Sequence, residues 1–308
     1  MVALLTIEPG FVCHVGDAGL LSIASVRSAL GREFIALQDL RSLHAEVTQP
    51  HRKAGHERSL LAVLLLREAG RQRSPHMPYI MAFLKLPKQL ASGWDPTTAA
   101  GASMREAANP RLKAAADVDR AQIARQHAAL VPAAIDALPT VLGEGLADVA
   151  SGSMREDLAR FYSAQRFTET WLALRSRDFT NTVQEQRVEE RRRGGGVAPR
   201  STREEEEEEE AESFPAAFLA PQIDLMNHGG SESNVAVRYD LKRRGFSMTA
   251  TRRIPKGQEL RFSYGQRLCR EMALLTYGFS DGDMPPCPSA ATSGRDAQSR
   301  RSAGDRTP

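Results

Sequence analysis

The sequence predicts an α+β fold in which a helical block interrupts a β-rich domain. Three observations carry this. Residues 2 to 35 read as short apolar pieces separated by turn residues. From about 57 to 175 the text becomes rich in Ala, Leu, Arg and Glu at helical spacing. Beyond 214 short alternating apolar segments return, and the chain closes on one more apolar helix.

The elements follow in order. "VALLTI", "GFVCHV" and "GLLSI" are strand-like and are separated by Pro-Gly and Gly-Asp. "ERSLLAVLLLREAG" predicts a buried helix closed by Gly70. "VDRAQIARQHAALVPAAIDALPTVL" predicts helices interrupted at Pro132 and Pro139, because proline lacks the donor a helix interior uses. "EDLARFYSAQRFTETWLALRSRDF" predicts two more helices. The segment 184 to 212 holds an arginine block, three glycines and seven consecutive glutamates, Glu204 to Glu210. Like charges repel and bury nothing, so a solvated insertion is expected there. "NVAVRYDL", "FSMTATRRI" and "ELRFSY" then predict strands joined by charged or Pro-Lys-Gly turns, and "EMALLTYGF" a last helix. The Pro/Ser/Arg-rich tail from 283 to 308 is expected to be disordered.

Several function classes drop out. A net charge of +3 is too small to imply nucleic-acid binding by itself. The longest apolar run, "SLLAVLLL", falls far short of the roughly 20 residues that span a bilayer. Cys13, Cys269 and Cys287 are far apart and odd in number, which fits a reducing compartment and gives neither a disulfide framework nor a zinc-ligand spacing. No phosphate-binding loop is present, and "GEGLAD" (143 to 148) lacks the third glycine of a dinucleotide fingerprint. His44, His51 and His56 lie in a polar stretch without matching cysteines and are expected at the surface; Trp94 and Trp171 are expected in the core.

The chemistry concentrates near the C-terminal end. In "PQIDLMNHGG" (221 to 230) an amide and an imidazole stand side by side where a strand gives way to glycines. A plain turn explains the composition, since Asn and Gly tolerate turn backbone angles, and so does a turn that presents Asn227 and His228 to a small molecule. The stretch alone leaves both open. "IPKGQELRFSYG" (254 to 265) follows, a tight turn and then a strand ending in Tyr264-Gly265, and thirteen residues later Tyr277 stands in "TYGF".

Taken together and in that order, "DLMNH", "KGQELRFSYG" and "LLTYGF" resemble the C-terminal half of a SET domain, of the subfamily of Rubisco large-subunit methyltransferases in which a helical insert splits the domain. "ALLTIEPGFVCHV" is similar to that family's early strand-turn-strand, "SLLAVLLLREAGRQRSPHMPYIMAFLKLP" to its helix followed by a Pro-Tyr and Leu-Pro stretch, and "RFTETWLALRSRDF" to its helix ending in a Ser-Arg pair, here Ser176-Arg177. The resemblance covers about 1 to 183 and 214 to 282. It implies short β-strands with a pseudoknot-like C-terminal segment, split by an inserted helical subdomain. In numbers, 1–50 is the N-terminal SET part, 51–183 the helical insert, 184–213 a charged linker, 214–282 the C-terminal SET part and 283–308 a tail. The family's Gly-x-Gly loop precedes the "TIEPG" strand, and this sequence starts inside that strand, so an N-terminally truncated domain is expected. Cys269-Arg270 stands where the family has Ser-Asn.

The resemblance also implies a function: S-adenosyl-L-methionine-dependent methylation of a protein lysine. Asn227 and His228 would hold the cofactor, and Arg177 would pair with its carboxylate, a task suited to a guanidinium fork. Tyr264 would be catalytic and also border the cofactor, its oxygen among the acceptors around the transferred methyl. Tyr277 would be catalytic and substrate-binding, orienting the amine. Asp224 either lies against substrate or caps the turn. Core packing is the alternative for the tyrosines, and a surface position that for Arg177. The expected partner is a protein with an acceptor lysine, with no metal, no direct nucleic acid, no membrane and a monomeric state. The expected location is intracellular, in a plastid or in cytosol and nucleus. A second reading of the same residues is a catalytically inactive SET remnant that binds proteins.

Overall fold

The computed structural model describes residues 3, 6–16, 20–22, 26, 50–70, 77–84, 110–141, 162–179, 217–240, 243, 245–265, 268–279 and 284–287. The 184 to 212 segment, "GEGLAD", His44 and Trp94 lie outside them. The chain forms two compact units, one from 1–86 and 123–266, the other from 87–122 and 267–308.

The first unit is built on a three-stranded antiparallel sheet. Strand β1 (Gly10–Gly16) pairs with β4 (Gly245–Ala250), which pairs on its other side with β3 (Val235–Asp240), giving the order β1-β4-β3. The register runs from Gly10 opposite Ala250 to Gly16 opposite Gly245, with an irregularity between Phe11 and Cys13. Segments more than 200 positions apart in sequence are therefore joined, with Gly10 opposite Ala250, and to this seam are added the isolated bridges Ile7–Ile254 and Leu21–Leu219. Side chains alternate as a half-buried sheet requires: Val235 and Tyr239 on β3, and Phe246, Met248 and Ala250 on β4, are buried. Phe246 is the hub, with Phe179 4.7 Å, Tyr239 5.1 Å and Phe218 6.0 Å away between ring centroids. Between β3 and β4, Asp240 Oδ1 accepts the Arg243 N–H at 3.0 Å, a side-chain turn bond of the kind aspartate favours.

Helix α1 (Pro50–Gly70) buries Leu60 to Leu66 without a break, so it is apolar on every side and sits in the core of the unit. Helix α2 (Met77–Leu84) follows, then α3 (Pro110–Val141) and α4 (Ala164–Arg175). α4 starts at Ser163, whose side chain accepts the Arg166 N–H, and it buries Phe167, Trp171 and Leu174. Trp171 is a core residue, as the sequence suggests: its Nε1 donates to Gly55 O at 3.2 Å and Ser59 Oγ at 3.0 Å. Arg58 stacks 5.3 Å over its ring and pairs with Asp178. The helices are tied to the strand region where Ala217 N–H donates to Glu57 Oε2 and Phe179 N–H to Phe218 O.

The second unit contains α5 (Arg270–Tyr277), closed by Gly278 at φ 75°, the left-handed cap position that favours glycine. Residues 284–287 return against its N-terminus.

The fold class predicted from sequence is the one observed: α+β, two β-segments distant in sequence making one sheet, with helices between them. Four expectations are corrected. α3 runs unbroken through Pro132 and Pro139, because its buried face (Leu130, Val131, Ala134, Ile135) continues past the first proline and outweighs the missing donor. α1 begins at Pro50 rather than at Glu57, so His51 is helical, and His56 is buried instead of exposed. Cys269 and Cys287 form a disulfide, brought together by a chain reversal that their spacing does not encode. Residues 284–287 of the tail are hydrogen-bonded to α5 rather than loose. Among the described residues, no helix is long and apolar enough to cross a membrane.

Candidate active site

Two short strands set the site. β2 (Asn227–His228) runs parallel to β5 (Arg261–Phe262), pairing Asn227 with Arg261 and His228 with Phe262. Ahead of β2 the chain turns through Gln222 at φ 77°, a left-handed conformation that costs a side-chain-bearing residue about 1–3 kcal/mol. A single 3-10 turn, Ile223–Leu225, then buries Asp224. After β2, glycine is required at 229: a Cβ there would stand 2.8 Å from both Arg261 Cβ and Ser233 Cα. Asn234 fastens the far side. It is 1% exposed, its Oδ1 accepts Arg261 N–H at 2.9 Å, and its Nδ2 donates to Glu259 O at 2.9 Å.

On this frame five of the six sequence-predicted residues converge. Tyr264, just past β5, donates its hydroxyl to Met226 O at 2.7 Å, and its ring packs 4.9 Å from Phe262 and 5.2 Å from His228. His228 Nδ1 accepts the Tyr264 backbone N–H at 3.1 Å, which puts the neutral ring's proton on Nε2. Asn227 Nδ2 donates to Glu259 Oε1 at 2.6 Å. Glu259 is held below the usual carboxylate range, by its bond from Arg261 first and that from Asn227 second. Arg177, just past α4, donates Nη1 to the Asp224 carbonyl. The sixth residue, Tyr277, is half-buried at the end of α5 in the second unit, its ring 6.1 Å from that of Phe279.

Asp224 is the most perturbed carboxylate of the group. It is 4% exposed, and Tyr79 on α2 donates its hydroxyl to Oδ2. Burial pushes its carboxyl up to about 7, against the lowering effect of the Tyr79 bond and the Arg177 charge. Tyr79 itself is driven far above the ordinary phenol range, by burial first and by the Asp224 charge second. Burial likewise pushes the Tyr264 phenol up to about 12. Two buried atoms here have no partner among the described residues: Arg177 Nε and Asp224 Oδ1, a donor and an acceptor. Buried polar atoms are nearly always paired, and a functional ligand is one of the accepted reasons for an exception.

Tyr79, Glu259 and Asn234 were not singled out by sequence reasoning. Tyr79 lies in the Pro-Tyr stretch of the resemblance, yet nothing local pairs it with a residue 145 positions away. The strand alternation around "QELRF" places Glu259 without revealing its acceptor role.

Comparison with known proteins agrees with this architecture. The family model described as the SET domain matches residues 102–265, just over half of the chain. No curated protein matches the sequence. Among solved structures, the SET domain of LSMT bound to methyllysine and AdoHcy is similar at 15% identity with a TM-score of 0.51, over 92% of this chain and 50% of that one. Rubisco LSMT bound to sinefungin and monomethyllysine gives 14% identity and a TM-score of 0.51, over 92% and 49%. Rubisco LSMT bound to AdoMet gives 15% and 0.50, over 92% and 49%. The chain thus spans about half the length of these proteins, and at such identity the likeness speaks for the fold. With the family model covering Asn227 and His228 on β2 and Tyr264 just past β5, the chain belongs to the SET domain family.

Proposed function

We propose that this chain carries an S-adenosyl-L-methionine-dependent protein-lysine N-methyltransferase site. The observation that carries the reading is a buried donor and a buried acceptor without partners among the described residues, Arg177 Nε and Asp224 Oδ1, together with a tyrosine whose hydroxyl is pinned to a backbone carbonyl. The family and the ligands bound by the structural relatives support it.

The donor set fits the cofactor. Arg177 Nε offers a buried cationic donor for its carboxylate, with the guanidinium already oriented by the Asp224 carbonyl. Asn227 and His228, fixed by strand pairing and by Glu259 and Tyr264, supply amide and backbone hydrogen-bonding groups. When bound, S-adenosylmethionine supplies a methyl group on a sulfonium, open to in-line displacement by an amine.

The chain's own residues position the reaction. The Tyr264 proton is committed to Met226 O, so toward a methyl group the hydroxyl oxygen acts as an acceptor for weak C–H···O contacts. Asp224 Oδ1 accepts on the substrate side, whereas the amine-orienting role of Tyr277, in the second unit, rests on the family resemblance alone. A lysine, ordinarily near pKa 10.4, must lose a proton before it attacks, and desolvation favours the neutral form. The partner is a protein presenting that lysine. The site works within a monomer, without direct nucleic-acid contact, in a plastid or in cytosol and nucleus.

Calorimetric titration of the full chain with S-adenosylmethionine, followed by labelled methyl transfer to a lysine-containing peptide array, tests this. Saturable heat that Arg177→Ala abolishes, and label on lysine, are expected. A folded chain that gives no heat would overturn the enzymatic reading and leave a protein-binding SET remnant.

A further inference from the structure

We propose that Cys269 and Cys287 form a reversible thiol–disulfide exchange site that clamps the last helix, and that its reactant is a low-molecular-weight disulfide of the glutathione type. The inference is independent of the function proposed above.

The two sulfurs are bonded, with Cα atoms 4.9 Å apart and the cysteines 18 positions apart in sequence. They close a covalent loop around α5. Cys269 is the residue before the helix, and its thiol makes no capping bond. The return segment 284–287 does that work. Pro285 O accepts the Arg270 backbone N–H at 2.9 Å, and Met284 O accepts Arg270 Nη2 at 3.2 Å. Glu271 Oε2 accepts the Cys287 N–H at 2.7 Å. The first N–H groups of a helix have no intrahelical acceptor, so the segment satisfies a donor that would otherwise depend on water. An eight-residue helix is marginal by itself, and this one depends on its clamp.

The two sulfurs are unequally accessible: Cys269 is 4% exposed, whereas Cys287 is half-buried. Exchange therefore enters at Cys287. Its thiolate attacks the small disulfide, one small thiol leaves, and a mixed disulfide forms on Cys287. Cys269, as thiolate, then attacks the Cys287 sulfur of that mixed disulfide and expels the second small thiol. Two protons leave the protein, which is oxidised by two electrons, and the small disulfide is reduced to two thiols. Opening is the reverse, driven by excess small thiol. Tyr277 is the final residue of the clamped helix, so the local order of its backbone follows the state of the pair.

The test is to equilibrate the full chain in glutathione buffers of graded potential, then read intact mass, differential alkylation and hydrogen exchange. On oxidation Cys269 and Cys287 should lose alkylation together. Amide exchange in 270–277 should slow by at least about tenfold, as expected when a cross-link suppresses local opening. Cys269→Ser should stop at a mixed disulfide on Cys287 and exchange like the reduced chain at every potential. Equal alkylation at all potentials, or exchange that ignores redox state, would overturn the proposal. So would zinc protecting both thiols of the reduced chain with an affinity that Glu271→Gln lowers, because Cys269, Glu271 and Cys287 place their ligand atoms within 4.8 Å and would then be a metal site.

Discussion

Asp224 carries the site's most testable electrostatics. Its carboxyl is held near 7 against an ordinary 3.8, so between those values the folded chain keeps a proton that the unfolded chain releases. The stabilisation from that proton is complete below about pH 4 and is lost as pH rises through about 7. Asp224→Asn should therefore flatten the decline of thermal stability between pH 5 and pH 8; an unchanged slope would contradict the assignment. Tyr79→Phe removes the donor to Oδ2 and should raise the Asp224 pKa further. It should cost about 1–3 kcal/mol, more at pH 8 than at pH 5, because a buried charge without its donor costs more than a buried neutral acid. Denaturation at the two pH values measures this. At Tyr264 the expectation is kinetic. Tyr264→Phe keeps the ring against Phe262 and removes the oxygen, so methyl transfer should fall about 100-fold with little change in cofactor affinity. A variant as fast as the parent would remove Tyr264 from the chemistry. Asn227, His228, Tyr264, Arg177 and Asp224 were legible in the sequence because each sits in a short motif. Tyr79 was not, since its partner is fixed by the placement of α2, which no local pattern encodes.

At the scale of elements, what could be read was whatever packing reinforces locally. The alternation of β3 and β4, the unbroken apolar run of α1 and the apolar text of α5 all announce themselves in a few residues. Misread elements were decided by distant partners: the prolines of α3 by a buried face that continues beyond Pro132, and Cys269 by a segment that returns from the tail. Gly245, on which the sequence is silent, is likewise decided by a distant partner. It is buried opposite Gly16, and a Cβ on it would stand 2.3 Å from Val15 O and 2.6 Å from Gly16 Cα, both backbone atoms that cannot step aside alone. Gly245→Val should therefore push β1 away from β4 and destabilise the fold by about 1–3 kcal/mol, the range of overpacking. Chemical denaturation reads the loss, and an unchanged midpoint would show that the two strands are not sealed as described.

The first unit as a whole is held together by contacts between chain segments that are remote in sequence. β1 on β4, Leu21 on Leu219, Glu57 on Ala217 and Phe179 on Phe218 all join residues before 184 to residues after 212. The backbone between them contributes continuity, whereas recognition between the two parts comes from six register pairs, the aromatic cluster around Phe246 and the buried Glu57 bond. Sequence reading reached this pairing through the return of strand text after the charged run, and could not reach its register, because one residue of slip would bury the opposite face of β1. Cutting the chain once, at a protease site placed within Glu204–Glu210, should then leave the two fragments associated. They are expected to co-elute on size exclusion in native buffer and to separate in urea. They should also re-form when mixed on dilution, slowly, because pairing over such a separation must be found by search. Gly245→Val introduced into the second fragment should weaken that association in parallel with its effect on the intact chain. Fragments that part in native buffer as soon as the site is cut would mean that the linker, rather than the β1–β4 seam, holds the two halves together.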